Sequence, residues 1–187
     1  ADAPSDGIRS FAVAFSADGK RQALAGALKT GSGPDVRFHV NAIDTFTGST
    51  DDGVKAVADW LAARKDRTAQ INLVGGSGAS ALADALQIRG VPAKTVHIMT
   101  TREYLESCSV FFEGLRDGRI THPTGDPEDA LNTAVAVCDR KIRARDGAWG
   151  WEASIPDGDE TPLEAVSAAV LAAKTTRRRP GKKARAL

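Results

Sequence analysis

The chain has 187 residues, 42% hydrophobic and 26% charged, values that suit one soluble domain with a sizeable core. No apolar run approaches the roughly 18 residues that a membrane-crossing helix needs, so no membrane partner is expected. The net charge of +1 hides an asymmetry, because "RRRPGKKAR" (177–185) carries six of the 25 basic residues and no acid. The body that remains holds 19 basic against 24 acidic residues and is net acidic.

Residues 8–16 alternate as a strand, with Phe11, Val13 and Phe15 on one face and Ala12, Ala14 and Ser16 on the other. "ADGK" (17–20) is a turn, and "RQALAGALKT" (21–30) returns as a second strand. "GSGPD" turns again into a third strand, "VRFHVNAIDTF" (36–46). A Ser/Thr/Asp cluster then caps a helix that spaces Val54, Val57, Ala58 and Leu61 on one face.

"AQINLVGG" (69–76) is a short strand entering a glycine turn, and "SGASALADALQIRG" (77–90) a helix closed by Gly90. "KTVHIMT" (94–100) is a further strand. In "TREYLESCSVFFEGLRDG" (101–118), Leu105, Cys108, Phe112 and Leu115 share a helical face. A helix is expected from about Pro127 to Cys138, then a basic segment, then a hairpin or loop over "AWGWEASIPDGDE" (148–160). The last helix, "TPLEAVSAAVLAAKT" (161–175), opens on Thr-Pro. The order implies an α/β fold, a mixed sheet flanked by helices, over residues 1–175, with a basic, disordered tail at 176–187.

The order of motifs resembles the nuclease domain of bacteriophage terminase large subunits, which has an RNase H-like fold. "FAVAFSADGK" is followed by F-x-x-x-x-x-G-x-I-x-H (112–122), a helix containing "AL", then "RKI", "AWGW" and D-x-x-P-L-x-A (159–165). The resemblance implies a hydrolase that cuts concatemeric double-stranded DNA with two Mg²⁺ or Mn²⁺ ions held by converging carboxylates. It also implies a terminase ATPase domain, a small terminase subunit and a portal as partners. No Walker A pattern occurs here, so a nuclease domain apart from its motor is implied.

Under that resemblance Asp159 matches the family aspartate that leads into the final helix, with Asp157 in support. Two other family positions depart, since Ala14 and Val74 stand where strand acids are expected. Asp18 lies four residues beyond position 14, about 13 Å along a strand, and reads first as a turn residue and second as a ligand. Asp44 on the third strand, and Asp126 and Asp129 before the late helix, are further candidate acids. Asp159 and Asp18 are thus the expected catalytic pair, with Asp44 and Asp157 as added metal ligands.

The expected DNA contacts are Arg140, Lys141, Arg143 and Arg145 beside Trp149 and Trp151, and Arg177, Arg178 and Arg179 in the tail. His39, His97 and His122 share no metal-type spacing. Cys108 and Cys138 are lone thiols that suit a reducing host cytoplasm, and the opening decapeptide lacks signal-peptide character. Two alternatives stay open: a catalytically degenerate DNA- or motor-binding domain of the same fold, and a small ligand-binding domain using "GGSGAS".

Overall fold

The computed structural model describes residues 6–47, 50–123 and 129–180. Strand β1 (Ile8–Phe15) alternates as the sequence requires, and its two faces seed two separate cores. It pairs antiparallel with β2 (Arg21–Thr30), which pairs antiparallel with β3 (Arg37–Thr47). After helix α1 (Thr50–Ala62), strand β4 (Gln70–Val74) runs parallel to β1 on its other side. Helix α2 (Gly76–Ile88) then leads to β5 (Val96–Ile98), parallel to β4.

Helix α3 (Thr101–Arg116) is followed by a two-residue strand, β6 (Ile120–Thr121), parallel to β3. The six-stranded order is therefore β5-β4-β1-β2-β3-β6, an RNase H-like mixed sheet. Helix α4 (Ala130–Val137), a hairpin of β7 (Cys138–Ile142) and β8 (Trp149–Ala153), and helix α5 (Thr161–Thr175) complete the chain. Among the described residues no helix is long and apolar enough to cross a membrane.

Helices α1 and α2 cover one sheet face. Leu61, Leu82 and Leu86 there meet Phe11, Val13, Phe15, Ile71 and Leu73. Each such side chain contributes roughly 1.5–3 kcal/mol by leaving water. The glycine turn after β4 belongs to this packing. A Cβ at Gly78 would stand 2.6 Å from the Phe15 ring, and one at Gly75, whose φ is +102°, would stand 2.5 Å from the Phe15 carbonyl oxygen. "GGSGAS" thus carries a close strand-to-helix turn onto Phe15.

The other face is built of small residues. Ala12, Ala14, Ala23, Ala25 and Ala27 meet α5 through Ala165, Ala168, Ala169 and Ala173. From Thr161 to Ala173 every residue of α5 except Glu164 is buried. Asn72, 2% exposed, donates from Nδ2 to the Ala168 carbonyl (3.1 Å), and Gln70 Nε2 donates to Asn72 Oδ1 (2.8 Å). These bonds fix where α5 lies along β4.

Two expectations need correcting. The buried face of α3 is Leu105, Cys108 and Phe111, whereas Leu115 is 39% exposed. Phe112 turns aside to meet Trp149 edge-on at 5.9 Å, so the inward stripe passes through its neighbour. The late helix ends at Val137, because Cys138 already pairs with Ala153. Its expected start at Pro127 lies outside the described residues.

The small-residue interface sets a tight packing limit. Ala169→Leu should push α5 off the sheet and cost about 1–3 kcal/mol in urea unfolding. Asn72→Ala, which leaves Gln70 without its acceptor, should cost about 1–2 kcal/mol.

Candidate functional site

The β1–β2 turn, the end of β3 and the loop before α5 enclose a cleft of about 650 Å³, lined by Asp18, Lys20, Arg21, Thr47, Pro156 and Asp157. The turn closes on two backbone bonds, Gly19 N–H to the Ser16 carbonyl (3.0 Å) and Ser16 N–H to the Arg21 carbonyl (2.9 Å). Gly19 takes the positive φ, +70°, that this turn requires. Arg21 donates from Nη1 to the Gly158 carbonyl, tying the turn to the loop before α5.

Asp18 serves the turn. Its Oδ1 accepts from Ser16 Oγ (2.6 Å) and from the Lys20 amide (3.0 Å). The Ser16 hydroxyl first, and the Lys20 amide second, hold its carboxyl below the usual range. Asp157 faces the same cleft. Asp159 points into the helix start, where its Oδ1 accepts from the Thr161 amide (3.0 Å) and hydroxyl (2.7 Å).

Asp44 is exposed beyond the bulge in β3 and accepts from the Thr45 amide (2.8 Å). Asp129 caps α4 through the Leu131 and Asn132 amides (2.7 and 2.9 Å). Asp126 lies outside the described residues. The cleft therefore joins Asp18 to Asp157 and leaves Asp44 and Asp129 elsewhere.

Beside this cleft the strand ends are apolar. Ala14 pairs in register with Val74 on β4 and with Ala23 on β2, and Ala14, Ala23 and Val74 are all buried. No oxygen donor stands at either strand position that the terminase resemblance marks for an acid. Among the described residues no three His, Cys, Asp or Glu side chains form a metal-holding group. Lys20 and Arg21 further bring positive charge to the cleft. Among the described residues the donor set does not fit a two-metal centre.

The basic hairpin is partly neutralised by its own carboxylate. Glu152 Oε1 accepts from Lys141 Nζ (2.7 Å) and Arg143 Nη2 (3.2 Å). The Arg140 guanidinium lies 4.5 Å from the Phe112 ring centre and 5.4 Å from that of Trp149. Trp151 is 8% exposed and covers the core, its indole N–H donating to Ser167 Oγ (3.0 Å). Arg145 is exposed in the hairpin turn.

The tail arginines separate: Arg177 is exposed, Arg178 turns inward to the Ala69 carbonyl (3.1 Å) and Thr95 Oγ1, and Arg179 lines a second cleft. Within residues 176–180, expected as the start of a disordered tail, Arg178 is thus tied to the residue before β4, and residues 181–187 are outside the described set. The histidines are engaged separately, His39 with Thr121 (3.0 Å), His97 with Glu103 (2.9 Å) and His122 with the Pro123 carbonyl (2.8 Å). Burial pushes the Cys108 and Cys138 thiols up to about 12, which leaves them protonated and unreactive.

Sequence reasoning missed Glu164. It is the one charged residue in "TPLEAVSAAVLAA", and that isolation was the available signal. Its Oε1 accepts from Tyr104 OH (2.7 Å), and the Tyr104 oxygen accepts from the Trp151 amide (3.2 Å). α5, α3 and the hairpin therefore meet at one carboxyl group.

The sheet order and the helix across its small-residue face define an RNase H-like α/β class. No protein-family model and no curated protein matches this sequence. Among solved structures the chain is similar to the HK97 bacteriophage large terminase, with a TM-score of 0.68 and 11% sequence identity. The match covers 90% of this chain and 40% of that one, so the chain spans less than half of the terminase's length. At that identity the likeness is one of fold.

Burial, then the charges of Glu160 and Asp159, push the Glu164 carboxyl up to about 7, against opposing help to its charged form from Tyr104 and Arg143. The folded state therefore keeps a proton that the unfolded chain releases near 4.5. This contribution is full below pH 4.5 and is lost as pH rises towards 7, by ~3 kcal/mol. Glu164→Gln should flatten that part of the stability profile in denaturant titrations between pH 4.5 and 8.

Proposed function

We propose that this chain is a terminase-related, DNA-binding domain that keeps an RNase H-like nuclease scaffold without a working two-metal centre. The observation that carries the reading is the Ala14–Val74 pair. Two adjacent parallel strands end in buried apolar side chains where the resemblance calls for carboxylates. Without acids at these two strand ends, the remaining described carboxylates lack the converging set that holds and positions two divalent ions. Asp159, the acid that does match, is occupied in starting α5. The fold likeness to the HK97 large terminase supports a place in DNA packaging, with duplex DNA as the principal partner. An ATPase motor, a small subunit and a portal are the further partners this reading implies.

A second reading, a divalent-metal-dependent endonuclease cutting concatemeric DNA, draws on one observation, that Asp18 and Asp157 face a common cleft. The two readings part in solution. We expect the protein to bind duplex DNA with an affinity that falls as salt rises, and to leave supercoiled plasmid intact with Mn²⁺. Asp159→Ala should lower stability by about 1 kcal/mol, the cost of a lost helix-start bond, and leave DNA affinity unchanged. Mn²⁺-dependent cleavage that disappears in Asp159→Ala would establish the nuclease reading instead. Absence of DNA binding at low salt would remove the DNA-binding one.

A further inference from the structure

We infer that the DNA-binding surface is a basic groove at the far end of the sheet, formed by Arg9, Lys29, Arg67 and Arg179, which takes the phosphate backbone of duplex DNA. This inference rests on the DNA-binding reading above and assigns it a site. The groove encloses about 520 Å³ between the start of β1, the end of β2, the turn before β4 and the segment after α5. Among the described residues that line it, the one acid is Asp6.

What sets these four cations apart is that, among the described residues, they gather in one groove without carboxylate partners. Arg89 holds Asp59, Arg119 holds Asp117, and Lys141 and Arg143 share Glu152. Among the described residues Arg9, Lys29, Arg67 and Arg179 bond no carboxylate, and their side chains make no hydrogen bond. Four like charges around one groove repel one another until an anion enters. Such concentration of unpaired charge is the electrostatic footprint of a polyanion site.

The groove is also held in place. Arg178 reaches inward to the Ala69 carbonyl and Thr95 Oγ1, and so sets Arg179 and Pro180 on the rim. The Ala69 amide in turn donates to the Arg9 carbonyl (2.8 Å), joining the two walls. Three of the four cations are arginines, whose planar forks match phosphate oxygens in pairs. Gly7, Gly31, Thr30 and Ser32 make the rest of the lining small and polar. A protein partner would call for a buried apolar anchor, and among the described lining residues only Ile8 and Pro180 offer apolar surface. The groove lies roughly 20 Å along β1 from Ala14, the distance that six strand residues span.

The test measures duplex binding by fluorescence polarisation across a salt series. Arg9→Gln/Lys29→Gln/Arg67→Gln/Arg179→Gln should lower affinity more than about tenfold at 100 mM salt, and make the slope of log K against log salt shallower by about 3 to 4. Each single Arg→Gln variant should reduce the slope by about 1, which keeps the test readable if the fourfold variant misfolds. Loss of affinity confined to Arg140→Gln/Lys141→Gln/Arg143→Gln would overturn the groove while leaving DNA binding intact. Failure of the wild-type chain to bind duplex would remove both. Groove-dependent binding of poly-glutamate without binding of DNA would assign the groove to an acidic protein segment and overturn the inference.

Discussion

The contact on which the rest depends is the close approach of α5 to a sheet face made of alanines. Ala12, Ala14, Ala23, Ala25 and Ala27 leave a shallow surface, and the alanines of α5 let the helix settle on it. Dispersion forces grow steeply as surfaces close, so small residues on both sides convert lost side-chain bulk into proximity. The same fit makes the interface intolerant of growth on either side. Directional bonds then lock it, from Asn72 to the Ala168 carbonyl and from Trp151 to Ser167, whose hydroxyl donates onward to the Leu163 carbonyl (2.7 Å). Once α5 is placed, the loop carrying Asp157 and Asp159 and the segment carrying Arg178 and Arg179 are placed with it.

That constraint bears on position 14. Ala14 lies in the alanine face, wholly buried, with Val74 and Ala23 in register beside it. A carboxylate at this position would have to bring water or cations with it, since burying one alone is prohibitive. With alanine, the end of β1 instead joins the packing surface under α5. The charge that does appear near that cleft is mixed, with Asp18 spent on its turn and Arg21 on the Gly158 carbonyl.

How much was visible in the sequence follows the range of the interactions. β1, β2 and α5 have bounds that local periodicity carries, because eight to fifteen consecutive residues repeat one pattern. β6 has only Ile120 and Thr121 and exists through its pairing with β3, so no repeat could announce it. Phe111 and Phe112 are equally apolar, and only the tryptophans of β8 decide which of them turns inward. The turn role of Asp18 was visible because Asp-Gly carries its own geometry. Glu164 was marked by isolation, but its partner Tyr104 lies 60 residues away.

Charge shows the same limit more sharply. The run Arg177, Arg178, Arg179 is conspicuous in the sequence, yet its three members have three different fates. Arg178 spends its guanidinium on a backbone carbonyl and a threonine hydroxyl, which is a structural use of a charged group. Arg179 joins Arg9, Lys29 and Arg67, residues with no sequence pattern in common, through the crossing of β1, β2 and the turn before β4. The parallel pairing of β4 with β1 is what brings Arg67 to Arg9, since the chain must return to the same sheet end to begin β4. The α1 connection from β3 to β4 therefore builds the positive groove as a by-product of topology. Charge at that end is set by where strands must start, and the neutral pair at the other end by how closely α5 must lie.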